Sequence, residues 1–145
     1  MITVEKHLAV MDDGFTINNY IVTDVETGET AVIDPSLSEE KLLEKLNGKN
    51  IKYILLTHGH FDHIGGVKPL AQALNCPVYL HPKEVTLPPY LTQGLLYYTD
   101  DYEQGNEISV GDLTFRVIET PGHTSGSVCL LCEDCLFTGD TLFAG

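Results

Sequence analysis

At 145 residues the chain has the length of one domain, enough to bury a core without disulfides or a partner. Hydrophobic residues make up 43% and charged residues 20%, an ordinary globular composition, while a net charge of -13 with eight Lys and Arg and no basic cluster argues against nucleic acid or any other polyanion. No apolar run approaches the roughly 20 residues of a membrane helix, and the N-terminus lacks the basic-then-apolar layout of a signal peptide, so a cytoplasmic protein with no membrane span is expected.

The chain opens with strand-like runs at Ile2 to Val10 and Thr16 to Thr23, separated by the turn signal Met11-Asp12-Asp13-Gly14. A third run, Thr30 to Asp34, follows the turn at Glu26-Thr27-Gly28, and the three predict an antiparallel meander. After Pro35 the period becomes helical, with Ser36 and Glu39 spaced as a capping box, Leu42, Leu43 and Leu46 as the apolar stripe and Asn47-Gly48 as the stop. A strand over residues 51–56, a loop, a helix carrying Ile64, Val67, Leu70, Ala71 and Leu74, and a strand over Pro77 to Leu80 complete an α/β layered pattern. From Pro82 to Gly105 the pattern is weak. Its tyrosines, Tyr90, Tyr97, Tyr98 and Tyr102, either line a substrate mouth or pin the loop to the body. Runs at Glu107 to Val110, Leu113 to Thr120, Ser127 to Cys132 and Cys135 to Thr138 then predict a second antiparallel sheet.

Chemistry concentrates in Thr57-His58-Gly59-His60-Phe61-Asp62-His63-Ile64-Gly65-Gly66, directly after an apolar strand. His58 and His60 leave the strand end two residues apart, Gly59 lets the backbone bend, and Asp62 and His63 open the following helical pattern. Burying three imidazoles and an acid without a metal would be costly, and neutral imidazole with carboxylate suits Zn²⁺ or a similar first-row ion, whereas Ca²⁺ and Mg²⁺ prefer oxygen alone. Two further candidates also follow strand-like runs: His123 in Thr120-Pro121-Gly122-His123-Thr124-Ser125, and Asp140 in Phe137-Thr138-Gly139-Asp140-Thr141. Cys129, Cys132 and Cys135 look like a thiolate cluster in sequence, yet Cys129 and Cys132 fall on opposite faces of an alternating strand, and all are read as reduced core or surface residues. His7 and His81 are read as surface or hydrogen-bonded core histidines, and Cys76 stands alone.

His58-x-His60-x-Asp62-His63, then Pro121-Gly122-His123-Thr124, then Gly139-Asp140-Thr141, resemble in identity and order the metallo-β-lactamase superfamily, most closely the glyoxalase II-like hydrolases. The resemblance covers essentially the whole chain and implies one domain over residues 1–145, an α/β protein built as an αββα sandwich with its second half incomplete. It implies that His58, His60 and His123 hold one zinc, Asp62 and His63 a second, and Asp140 bridges both. Asp62 would also orient the hydroxide that attacks a carbonyl. Iron or manganese are the alternative metals. No histidine follows Asp140, where the family supplies a last ligand, so the second site is expected to be incomplete. Thioester hydrolysis of the hydroxyacylglutathione hydrolase type is the implied function, with a small-molecule substrate. The glutathione-binding helices of glyoxalase II have no counterpart here, so substrate-binding residues stay unassigned and a β-lactam or other ester stays open. The alternatives are a persulfide dioxygenase-like enzyme with one iron, and a metal-binding fragment impaired in catalysis. Exposed strand faces between Val128 and Phe137 are expected to promote self-association.

Overall fold

A computed structural model of the protein describes residues 2–10, 16–35, 40–57, 67–86, 97–120, 126–133, 135–138 and 142–144. Strands β1 (Ile2–Val10), β2 (Thr16–Asp24) and β3 (Glu29–Ile33) form the expected antiparallel meander, with Ile2 opposite Asp24 and Tyr20 opposite Ile33. Helix α1 (Glu40–Leu46) then crosses to β4 (Asn50–Leu55), which lies parallel to β3. Helix α2 (Val67–Leu74) crosses to β5 (Val78–Leu80), parallel to β4. A short 3-10 helix, Pro82–Thr86, precedes β6 (Asp100–Asp101), which closes the six-stranded first sheet in the order β1-β2-β3-β4-β5-β6. The second sheet is antiparallel throughout and made of β7 (Glu107–Val110), β8 (Leu113–Glu119), β9 (Val128–Cys132), β10 (Cys135–Phe137) and β11 (Leu142–Ala144), in the order β11-β10-β9-β8-β7.

Alternation along the strands explains how the layers stack. The first sheet is apolar on both faces: Ile21, Val32, Ile54, Leu56, Val78 and Leu80 pack with Leu42 and Leu46 of α1 and Val67, Leu70 and Ala71 of α2. Tyr20, Val22, Ala31, Ile33 and Leu55, on the opposite face, meet Val110, Leu113, Phe115, Val117, Val128, Leu130, Cys132 and Phe137 of the second sheet. Between Thr30 and Ala31 the register slips, so Ile51 and Tyr53 face different layers although they are two residues apart. Aromatic rings join the sheets, Tyr20 meeting Phe137 edge-on at 5.4 Å, while Tyr102 stacks on Tyr79 at 5.7 Å. Helices, first sheet and second sheet are successive layers of an αββα sandwich.

Three sequence expectations are revised. Leu43, placed in the stripe of α1, is 38% exposed, because a seven-residue helix turns only Leu42 and Leu46, four apart, onto the sheet. The strand faces between Val128 and Phe137 are less open than expected: Val128, Leu130, Cys132 and Phe137 are buried against the first sheet, while on the opposite face Cys129 is buried and the paired Leu131 and Leu136 are half-buried. β6 and β11 are additional strands. β6 forms because Thr99 Oγ1 accepts from the Val78 N–H at 2.8 Å and Tyr102 N–H donates to Leu80 O, fastening an intrinsically poor strand former to the sheet edge. The capping box at Ser36 and Glu39 lies outside the described residues. No helix among the described residues is long and apolar enough to cross a membrane.

Candidate metal centre

All six predicted metal ligands, His58, His60, Asp62, His63, His123 and Asp140, lie outside the described residues; the structure describes the strand ends from which their loops leave. Segment 58–66 follows Thr57 at the end of β4, segment 121–125 joins β8 to β9, and segment 139–141 lies in the connection from β10 to β11. Strand pairing puts these three departures side by side. Glu119 is opposite Val128, Phe137 is opposite Leu130 on one side and Leu142 on the other, and the Val128 N–H donates to Thr57 O at 2.9 Å across the two sheets. The described residues that flank the three predicted ligand segments therefore all lie at one end of the sandwich.

The root of the first loop is held at each polar atom. Leu56 N–H donates to Tyr79 O at 3.0 Å and Leu56 O accepts from the Tyr102 hydroxyl. Thr57 N–H and Oγ1–H both donate to the Asp34 carboxylate, at 2.8 and 2.5 Å, and Thr57 O accepts from Val128. Asp34 is fully buried and sits just past β3 with φ of 50°, a left-handed conformation that Asp tolerates better than most side chains. Its backbone N–H donates to Leu55 O at 3.2 Å and its carbonyl accepts from Asn19 Nδ2 at 2.9 Å. A strand end with this many directed bonds cannot shift along its axis without leaving buried groups unpaired.

The second loop is framed from the short 3-10 helix. Thr120 N–H donates to Ser127 O at 2.9 Å, closing the segment between them. His81, 3% exposed, accepts at Nδ1 from the Lys83 N–H (3.1 Å), so Nε2 carries the proton and donates to Glu119 Oε2 at 2.9 Å. That bond, with a second from the Gln104 N–H, holds the Glu119 carboxyl below the usual carboxylate range. Glu84, fully buried, accepts from the Gly126 N–H at 3.0 Å.

His81 thus fits the hydrogen-bonded core class assigned from sequence, and His7 lies in β1 opposite Asn19. Tyr102 pins rather than lines: it is 1% exposed, and burial first, then the Asp34 charge, pushes its hydroxyl well above the ordinary tyrosine range, so it stays a donor. Tyr97 is half-buried against the helix-side core, Tyr98 is exposed, and Tyr90 lies outside the described residues. Cys132 and Cys135 are direct cross-strand partners beside the Glu133 turn, at the end of β9 opposite Val128, and Cys132 joins the inter-sheet core. Cys129 contacts Thr120 Oγ1 at 3.5 Å, and Cys76 is buried against the helices.

Asp34, Glu84 and Tyr102 are the supporting residues that sequence reading missed or left unresolved. For Asp34 the available signal was an acid closing an apolar strand immediately before Pro35. The donor set carried by the three loops, four imidazoles and two carboxylates, matches the borderline-soft chemistry of zinc or iron and not that of calcium.

Residues 12–145 match the sequence profile of the metallo-beta-lactamase superfamily. The hydroxyacylglutathione hydrolase of Rhodospirillum rubrum is 36% identical over 99% of this chain, and PksB of Bacillus subtilis, a probable polyketide biosynthesis zinc-dependent hydrolase, is 35% identical over 90% of it. The chain spans 54% and 57% of the lengths of those two proteins. Among solved structures, TTHA1623 in a di-iron-bound form matches with a TM-score of 0.73 and 34% identity, covering 96% of this chain and 74% of that one.

Proposed function

The chain belongs to the metallo-β-lactamase superfamily, and from that premise we propose that it is a zinc-dependent hydrolase of small-molecule thioesters, of the hydroxyacylglutathione hydrolase type. The observation that carries the reading is the convergence of three strand ends, held together by the Thr57–Val128 bond, from which the His58–His63, His123 and Asp140 segments all depart. Names of relatives support the class: one is a hydroxyacylglutathione hydrolase and another a probable zinc-dependent hydrolase.

In this reading His58, His60 and His123 would hold one ion, Asp62 and His63 would hold a second, and the Asp140 carboxylate would be shared by both. Zinc, when bound, lowers the pKa of a water towards neutrality and polarises a carbonyl. The Asp62 carboxylate orients the attacking water towards the thioester carbon. Asp34 and Tyr102 act behind the ligands, fixing the strand end that His58 follows so that the imidazoles need not be ordered by the metal itself.

Elemental analysis of the purified protein, paired with turnover of a hydroxyacylglutathione, tests the proposal. Zinc at one or two equivalents with loss of the thioester absorbance is expected. Metal-loaded protein that leaves the thioester intact refutes thioesterase activity. Iron in place of zinc would align the centre with TTHA1623 instead.

A further inference from the structure

The Glu84 carboxylate is fully buried, yet it belongs to a 3-10 helix far in sequence from any predicted ligand. Its Oε2 accepts from the backbone N–H of Gly126, the residue at which the chain re-enters the second sheet after segment 121–125. A Cβ on Gly126 would lie 2.8 Å from Glu84 Oε2 and 2.9 Å from both its Cγ and its backbone nitrogen, so the glycine is what lets the loop end close onto this helix. Three residues before Glu84, His81 binds Glu119, two residues before the same segment begins. Both flanks of the segment thus rest on the stretch from His81 to Glu84, and Thr120 N–H to Ser127 O ties them to each other.

We propose that Glu84 is a positioning residue for the metal centre: by fixing Gly126 it sets where segment 121–125 stands and so whether His123 can complete its ion's coordination. The inference rests on the metal-centre reading above. A carboxylate is suited to this because it accepts strongly from an amide without needing a proton of its own, and a buried Gly126 N–H deprived of it must find another acceptor by moving the loop end. Gln at the same position keeps a carbonyl oxygen and should keep the bond; Ala cannot.

The test is competition titration of Zn²⁺ and the visible spectrum of the Co²⁺-substituted protein, on parent, Glu84→Ala, Glu84→Gln and Asp24→Ala. Asp24 lies at the opposite end of the sandwich, where it accepts from the Asp112 N–H at 2.7 Å, and controls for lost stability alone. Glu84→Ala is expected to weaken Zn²⁺ by about tenfold, the lower end for outer-shell partners of a metal site, and to alter the Co²⁺ bands. Glu84→Gln is expected to restore parental affinity and spectrum, and Asp24→Ala to leave both unchanged. Where Glu84→Ala does not fold, Gly126→Ala should reproduce its effect on metal binding with Glu84 in place. A parent that binds no divalent ion overturns the metal reading and this inference with it. A parent that binds while Glu84→Ala, or in its stead Gly126→Ala, matches its affinity and spectrum overturns this inference alone.

Discussion

Asp34 shows what one side chain contributes when both its oxygens are spent on a neighbouring strand. Asp34→Ala leaves the buried Thr57 N–H and hydroxyl without an acceptor and should cost about 2–5 kcal/mol by urea unfolding. Thr57→Val, which keeps the backbone bond, should cost only about 1 kcal/mol. Parental stability in Asp34→Ala would remove it from the frame. His58→Ala or His60→Ala should instead strip most of the bound metal at little cost in folding, and equal metal content in variant and parent would contradict the ligand assignment. Cys132 gives a check of another kind. Burial, then the charges of Glu133 and Cys135, pushes its thiol up to about 12, so iodoacetamide at mildly alkaline pH should label it only after unfolding. Four of the six ligand candidates stand out in the sequence because His58, His60, Asp62 and His63 crowd into six consecutive positions, whereas His123 and Asp140 are singled out only by their place in an ordered motif pattern. Asp34, Tyr102 and Glu84 do not stand out, since each acts on an atom 23, 46 or 42 residues away and nothing in its own neighbourhood announces the partner.

Among elements, periodicity was a sound guide to type and a weaker one to orientation. The alternating strands and the stripe of α2 read correctly because Val67, Leu70 and Ala71 repeat at helical spacing over a single buried face. In α1 three leucines were available and the sheet takes two, which only the crossing of helix and sheet decides. Leu42→Ala should therefore cost about 2–5 kcal/mol and Leu43→Ala less than about 0.5 kcal/mol in thermal or urea unfolding; equal costs would mean the helix is rotated. β6 escaped the sequence reading because its two residues are both aspartate. Their place follows from hydrogen bonds made by Thr99 and Tyr102 on either side, and their exposed charges suit an edge by discouraging further pairing.

For the molecule as a whole, the two sheets are fastened at both ends. At the end from which the candidate ligand segments leave, Val128 meets Thr57; at the other, the fully buried Asp24 accepts from the Asp112 N–H and from Thr27 Oγ1 at 2.9 Å, and Gly111 leaves room where a Cβ would strike both side chains. The Asp112 amide first, then the Thr27 and Glu26 bonds, hold the Asp24 carboxyl below its ordinary value of 3.8, as His81 and Gln104 hold Glu119 below 4.5. A depressed carboxylate stabilises the fold above its unfolded pKa and loses that contribution as pH falls through the folded one. Stability should hold from neutrality to about pH 5 and decline below pH 4, more shallowly in Asp24→Asn; an acid limb unchanged in that variant would exclude Asp24 as a contributor. The Asp24 to Asp112 bond spans 88 residues. Closing so long a loop comes late, after the meander and the parallel crossovers have formed from nearer partners. On the proposed metal centre, the strand ends that precede His58, His123 and Asp140 come side by side only once that docking is complete, so a nascent chain holding the first sheet alone should bind zinc more weakly than the whole chain. In native-state hydrogen exchange the Val128 and Asp112 amides should then open together, each with the free energy of separating the sheets.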